Sequence, residues 1–193
     1  MAEWIFKWMD PKIPLLERVI AFACVEGIFF QSAFAAIYWI KKRNILDGLT
    51  KANEWIARDE RIHVDFAKSL YSTLVNGYKF EALTPKRLNQ IVDEAVEIVS
   101  DFTNNSLKPT LIGLSSLELI KYVEHNAWLL CTSLGYPSSF KEGHNLDFMV
   151  AIALTNKSNF FEVPVSEYKT FSVQCENGKP KTDNYSYELS EDF

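Results

Sequence analysis

Val25-Glu26-Gly27-Ile28-Phe29-Phe30 sets a lone carboxylate inside an apolar run, and Arg58-Asp59-Glu60-Arg61-Ile62-His63 sets a Glu-x-x-His further along the chain. Around the second stretch, Ala52, Ile56, Glu60, His63, Ala67, Leu70 and Leu74 follow one another at steps of three or four residues. They therefore share one face of a helix. The other members are apolar, so Glu60 and His63 are predicted to face the interior rather than water. Around the first stretch, Val19, Phe22, Ala23, Glu26, Phe30, Ala33 and Ile37 repeat the pattern with Glu26 as its only charge.

A buried carboxylate without a partner costs several kcal/mol or stays protonated. Two carboxylates and an imidazole on adjacent antiparallel helices avoid that cost if they share a cation. One Glu from a helix and a Glu-x-x-His from its neighbour make half of the ligand set of a carboxylate-bridged di-metal centre in a four-helix bundle. The bland reading of Glu60 and His63 is a buried polar pair that satisfies itself. Glu26 has no comparable bland reading.

The remaining sequence bounds the class of protein. A length of 193 residues at 48% hydrophobic content suits one domain with a substantial core. A net charge of −5 without a basic block gives no electrostatic footprint for nucleic acid. Cys24, Cys131 and Cys175 are sparse and odd in number. That pattern fits a reducing compartment, so a cytoplasmic location is expected. Cys175 reads as a bystander thiol, and the Asn-x-Ser triplets at Asn104, Asn156 and Asn184 read as coincidences without a secretory signal. The run from Val19 to Ile40 is long enough to span a bilayer. An acid at its middle would cost roughly 3 kcal/mol or more there, so a buried central helix is predicted instead and no membrane partner is expected.

Taken in order, residues 1–10 read as a short amphipathic helix with Trp4 and Trp8 on one side. A long helix is predicted from about Leu15 to Arg43, and a second from Thr50, as N-cap, to about Val75, stopped by Asn76-Gly77. Thr84-Pro85 opens a third. A fourth covers Ser115 to Leu134 and ends at Gly135, and a shorter apolar segment follows at Phe148 to Leu154. Residues 1–162 form the predicted globular part, and 163–193 a flexible tail with an aromatic and acidic end. No strand pattern stands out, so the predicted fold is all-α. His125 and His144 fall in no ligand stripe and read as structural.

At these residues the chain resembles the small subunit of class I ribonucleotide reductase. Ala21-Phe22-Ala23-Cys24-Val25-Glu26-Gly27-Ile28-Phe29-Phe30 with Trp39-Ile40-Lys41-Lys42-Arg43 is similar to one of the family's ligand helices. Gly48-Leu49-Thr50, Asn53-Glu54 and Ala57-Arg58-Asp59-Glu60-Arg61-Ile62-His63 are similar to the next, at the offsets of the eukaryotic and viral branch. Leu111-Ile112-Gly113, Leu134-Gly135, Asp147-Phe148-Met149, Asn159-Phe160-Phe161-Glu162, Glu167-Tyr168 and Glu191-Asp192-Phe193 continue the likeness to the end of the chain.

The resemblance implies a ferritin-like helical bundle, here its second half only, and a role in making deoxyribonucleotides from ribonucleoside diphosphates. It implies a di-iron centre that uses O₂ to make a tyrosyl radical; hard oxygen and imidazole ligands suit manganese as well. Glu26, Glu60 and His63 would be metal ligands. Asp59 would be a carboxylate of the radical path, and Tyr168 the tail tyrosine that hands the radical between subunits. The tail ending Glu191, Asp192, Phe193 would dock on the large subunit. Read alone, Asp59 is a surface helix residue and Tyr168 an ordinary loop aromatic.

The sequence departs from the family in one large respect. The family's N-terminal half brings an Asp, a first Glu-x-x-His, the radical-bearing tyrosine and a tryptophan of the transfer path, and none of these has a counterpart here. The centre is therefore incomplete in this chain alone. A separate N-terminal half, or a second small-subunit chain, could supply the rest, and the split arrangement fits the intact trio and tail best. The rival reading is a truncated, non-catalytic protein that binds the large subunit through its tail.

Overall fold

A computed structural model describes residues 1–107 and 113–150, with the backbone of 175–176 and 179–180. Two units are distinguished, Met1–Thr155 and Asn156–Phe193. In the first, the elements in chain order are α1 (Ala2–Trp8), α2 (Leu15–Cys24), a π-helical turn (Val25–Phe29), α3 (Gln31–Lys41), α4 (Asp47–Ser72), a second π-helical turn (Thr73–Gly77), α5 (Pro85–Ser106) and α6 (Ser116–Ser133). Residues 147–150 add a helical turn. In the second unit the described backbone is a two-residue antiparallel ladder, β1 (Cys175–Glu176) on β2 (Lys179–Pro180), where no strand was predicted. Chain composition at that scale carries no strand signal. The predicted tail 163–193, Tyr168, the Glu191-Asp192-Phe193 end and most of Phe148–Leu154 otherwise lie outside the described residues.

The all-α class holds, and the predicted central helix is central. The rod made by α2, the first π turn and α3 touches α4 along one side, while α2 packs on α5 and α3 on α6 along the other. Its composition explains the position: Ile20, Ala21, Cys24, Ile28 and Ala35 are all essentially inaccessible to solvent. Opposite them α5 contributes Leu88, Ile91, Val92, Ala95 and Val99, the helical repeat seen in its sequence. This segment, Leu15–Lys41, is long and apolar enough to cross a membrane by length and composition, and half of its most apolar window is buried against the other helices.

Helix ends follow local chemistry. Thr84 accepts the Arg87 N–H with Pro85 in the first turn, as predicted. Ser115 and Glu118 close a reciprocal capping box at the start of α6, and Gly135 leaves that helix at φ +81°. The first residues of the chain make the expected amphipathic helix. Trp4 and Trp8 are buried, and the Trp4 indole N–H donates to Glu94 at 3.0 Å.

Two predicted boundaries are corrected. The helix proposed from Leu15 to Arg43 is not one uninterrupted α-helix, because the π turn inserts an extra residue at Val25–Phe29 and regular helix ends at Lys41. Thr50 does not cap the next helix. The chain reverses through left-handed Asn44 (φ 54°) and Leu46 (φ 56°), and α4 starts at Asp47. The Thr50 hydroxyl then donates to the Asp47 carbonyl inside the first turn.

Gly27 fixes how near α4 comes. A Cβ at that position would stand 3.1 Å from Val64 Cγ2, tighter than packed carbon atoms tolerate without movement. Gly27→Val is expected to destabilise the fold by about 1–3 kcal/mol in urea unfolding, with much of the loss recovered on adding Val64→Ala.

His125 and His144 stitch the loop after α6 to that helix. Gly143 N–H donates to His125 Nδ1 at 3.0 Å, and Leu146 N–H donates to His144 Nδ1 at 3.2 Å. The two rings lie 5.1 Å apart, with Tyr122 edge-on to His144 and Trp128 stacked on His125. Burial pushes both imidazoles below the ordinary value of 6.5, Glu142 pulling weakly the other way on His125 and His125 itself adding to the depression of His144. A depressed histidine stabilises the fold above its unfolded value and ceases to as pH falls. Amide protection factors at Gly143 and Leu146 should therefore drop progressively below about pH 6.5, whereas those in α5 should not.

Candidate metal centre

Glu26 projects from the π turn, a local widening of the helix that recurs at functional positions. Glu60 and His63 lie one helical turn apart in the middle of α4. The structure brings the three together: His63 Nδ1 lies 3.1 Å from Glu26 Oε2 and 3.1 Å from Glu60 Oε2. Their donor atoms all fall within 4.8 Å of one another. Among the described residues this is the one group of three acidic, cysteine or histidine side chains so gathered.

Electrostatics show why such a cluster wants a cation. Burial, then the shared hydrogen bond with Glu60, pushes the Glu26 carboxyl from 4.5 up to about 7, against the opposing pull of His63. The hydrogen bonds to Glu26 and then Glu60 raise the His63 imidazole. A proton on Nδ1 thus stands between the two carboxylates. The donor set fits a divalent metal: neighbouring ligands on bonds of about 2.1 Å sit about 3 Å apart, the spacing already present between Nδ1 and each carboxylate.

The orientation departs from the sequence reading in one respect. Glu26 and Glu60 are largely covered, with side chains 15% and 18% exposed, but His63 is 51% exposed. Of the two predicted inward stripes, the first is buried at Val19 and Ala23 and open at Phe22, Phe30 and Ala33, and the second is buried at Ala67 and Leu74 and open at Ile56 and His63. The cause is simple: among the described residues nothing packs over this side of α4. Trp55, Ile62 and Phe66 are exposed on the neighbouring strip of the same helix. Asp59 is exposed beside Glu60, and Tyr168 lies outside the described residues.

Sequence reasoning did not foresee a cavity of about 380 Å³ that runs from Trp4 and Trp8 past Arg18 and Phe22 to Glu26. The aromatic pair in the first ten residues was its visible signal. Nor did it assign Gly27 a purpose, although a glycine next to the only acid of an apolar run marks a close approach of backbone to a neighbour.

A helical protein with a half-open carboxylate–histidine cluster between neighbouring helices is the class that this fold and this geometry define. The chain belongs to the family described as ribonucleotide reductase, small chain, whose profile matches residues 1–145. It is 42% identical over 193 residues to the ribonucleoside-diphosphate reductase small chain of Nicotiana tabacum, covering 100% of this chain and 56% of that one. Against subunit M2 of Rattus norvegicus it is 39% identical over 193 residues, covering 100% of this chain and 47% of the relative. Among solved structures, the ribonucleotide reductase Rnr4 homodimer from Saccharomyces cerevisiae matches with a TM-score of 0.67 at 28% identity, over 81% of this chain and 50% of that one. The chain thus spans about half the length of the relatives it matches.

Because Glu26 holds a proton up to about pH 7, a divalent cation binding the trio must displace it. Calorimetry with Mn²⁺ in buffers of different ionisation enthalpy should report proton release at pH 6 that fades above pH 7, and Glu26→Gln should abolish the Glu26 share of that release.

Proposed function

We propose that this chain is a partial small subunit of a ribonucleoside-diphosphate reductase, working in the cytoplasm toward deoxyribonucleotide synthesis. The observation that carries the reading is the meeting of Glu26, Glu60 and His63 at mid-helix, in the one arrangement where two acids and an imidazole offset each other's cost. In the completed centre these three would hold iron, and the same donors suit manganese. Bound iron would supply one-electron oxidation by O₂. Asp59, exposed on the flank of Glu60, would carry charge and proton away from the metal along the radical path, and Tyr168 would relay the radical to the large subunit. The end Glu191-Asp192-Phe193 would dock there, with apolar anchors setting affinity.

A second reading is favoured by the openness of the trio: a non-catalytic chain that occupies the large subunit's docking groove through its tail. Two measurements separate them. After Fe²⁺ and O₂, the chain alone should give no tyrosyl-radical signal by EPR, since half the ligand set is present; a signal would overturn the half-site assignment. A peptide of residues 185–193 should compete with the chain for a reductase large subunit, and deleting Phe193 should weaken binding about tenfold, the size of one modest apolar anchor. Equal binding without Phe193 sinks the docking role in both readings.

A further inference from the structure

We propose that the cavity between α1 and α2 is a binding site for an apolar monocarboxylate, its carboxylate held by Arg18 and its chain lying among Trp4, Trp8 and Phe22. The inference goes beyond the reductase reading and does not depend on it. Three observations carry it.

The first is the shape of the space. The cavity measures about 380 Å³, and Trp4, Trp8, Arg18, Phe22 and Glu26 line it with smaller apolar neighbours. That size, and an apolar and aromatic wall with few polar groups, are what small-molecule sites have. The wall is already fixed. The Trp4 indole donates to Glu94 at 3.0 Å and Lys7 donates to the same carboxylate at 3.0 Å, so α1 is fastened to α5. The Trp4 ring lies against Trp8 and Phe29, with centroids 5.5 and 5.1 Å away. A ligand entering such a space spends little of its binding free energy on ordering the protein.

Charge is the second. The neighbouring acids are committed: Glu17 to Arg87 at 2.8 Å, Glu94 to Lys7, and Glu26 to His63. Among the described residues Arg18 has no acid partner, and its Nε, shielded from solvent, has no hydrogen-bond partner. A partly buried guanidinium without an anion carries an uncompensated desolvation cost. A carboxylate is the group whose two oxygens match its fork of donors. Trp8 Nε1 is a second buried donor left without a partner, whereas Glu26 is the only carboxylate in the wall and is already engaged. The unmet demand at this cavity is therefore for an acceptor.

Third, the cavity has a direction. Arg18 and Glu26 stand at its two ends along the central rod, eight positions apart in sequence, about 12 Å along a helix axis. Ala21, Phe22 and Val25 line the space between them. Glu26 repels a second anionic group, so a dicarboxylate is disfavoured and a single carboxylate is directed to Arg18. An extended apolar chain of roughly ten carbons spans the distance.

The test titrates the full chain with decanoate, below its micellar range, by calorimetry and follows the indole N–H signals of the five tryptophans by NMR. The expected result is one saturable site, with the Trp4 and Trp8 signals shifting and those of Trp39, Trp55 and Trp128 unmoved. Decanol and decylammonium should bind at least tenfold more weakly than decanoate. Arg18→Gln should lower decanoate affinity about tenfold, the size of one charge-assisted contact, and leave decanol affinity unchanged, which a damaged fold would not. Ile5→Trp, which fills the cavity, should abolish binding of both while circular dichroism shows the helices intact. Absence of saturable decanoate binding would overturn the proposal. So would decanol binding as tightly as decanoate, full decanoate affinity in Arg18→Gln or Ile5→Trp, or shifts confined to the other three tryptophans. The large-subunit competition assay reads the reductase assignment independently of these outcomes.

Discussion

A carboxylate half-way along an apolar helix is the constraint from which the rest of the arrangement follows. Glu26 cannot shed its charge to water, because the π turn that bears it is pressed against α4. Its remedy is local: the His63 imidazole nitrogen Nδ1 at 3.1 Å and a second carboxylate sharing that same nitrogen. The remedy works only if α4 runs close by in one register. Gly27 permits the closeness, and the short reversal through Asn44 and Leu46 sets where α4 begins.

The two sides of the central rod then behave differently. Toward α5 and α6 it is sealed by aliphatic residues, with Cys24 and Cys131 buried among them. Toward α4 the packing is one layer thick, and the outer surface of that layer keeps Trp55, Ile62 and Phe66 in contact with solvent. Large exposed apolar residues clustered on one helix mark a surface that is meant to be covered. The carboxylate–histidine trio sits at the boundary between the sealed and the uncovered side, which is why two of its members are sheltered and the third is not.

Much of this was legible in the sequence, for identifiable reasons. Strong helical periodicity in Leu88 to Val99 and the Thr84-Pro85 start are signals carried by nearby residues, and the structure follows both, whereas the helix beginning near Ser115 was placed without its capping box. The meeting of Glu26 with Glu60 and His63 followed from one energetic requirement applied to two segments. What stayed hidden depends on contacts between segments or on backbone states that side-chain identity does not encode. Leu46 is an unlikely residue for a left-handed conformation, which costs an L-residue about 1–2 kcal/mol, so nothing marked it as the start of α4. The exposure of His63 could not be read from its stripe either, since periodicity names a face without saying whether another layer lies upon it.

The π turn has a wider consequence for the helix that contains it. Residues beyond Phe29 are rotated by about 100° relative to where an unbroken α-helix would carry them. Beyond it, Phe30 and Ala33 fall on the open side while Phe34 and Ala35 turn inward. The single rod that contains the turn serves two neighbours, α2 meeting α5 and α3 meeting α6. The inserted residue acts as a vernier between two packing registers. Removing it to gain a straighter helix would leave one of the two neighbours meeting the wrong meridian.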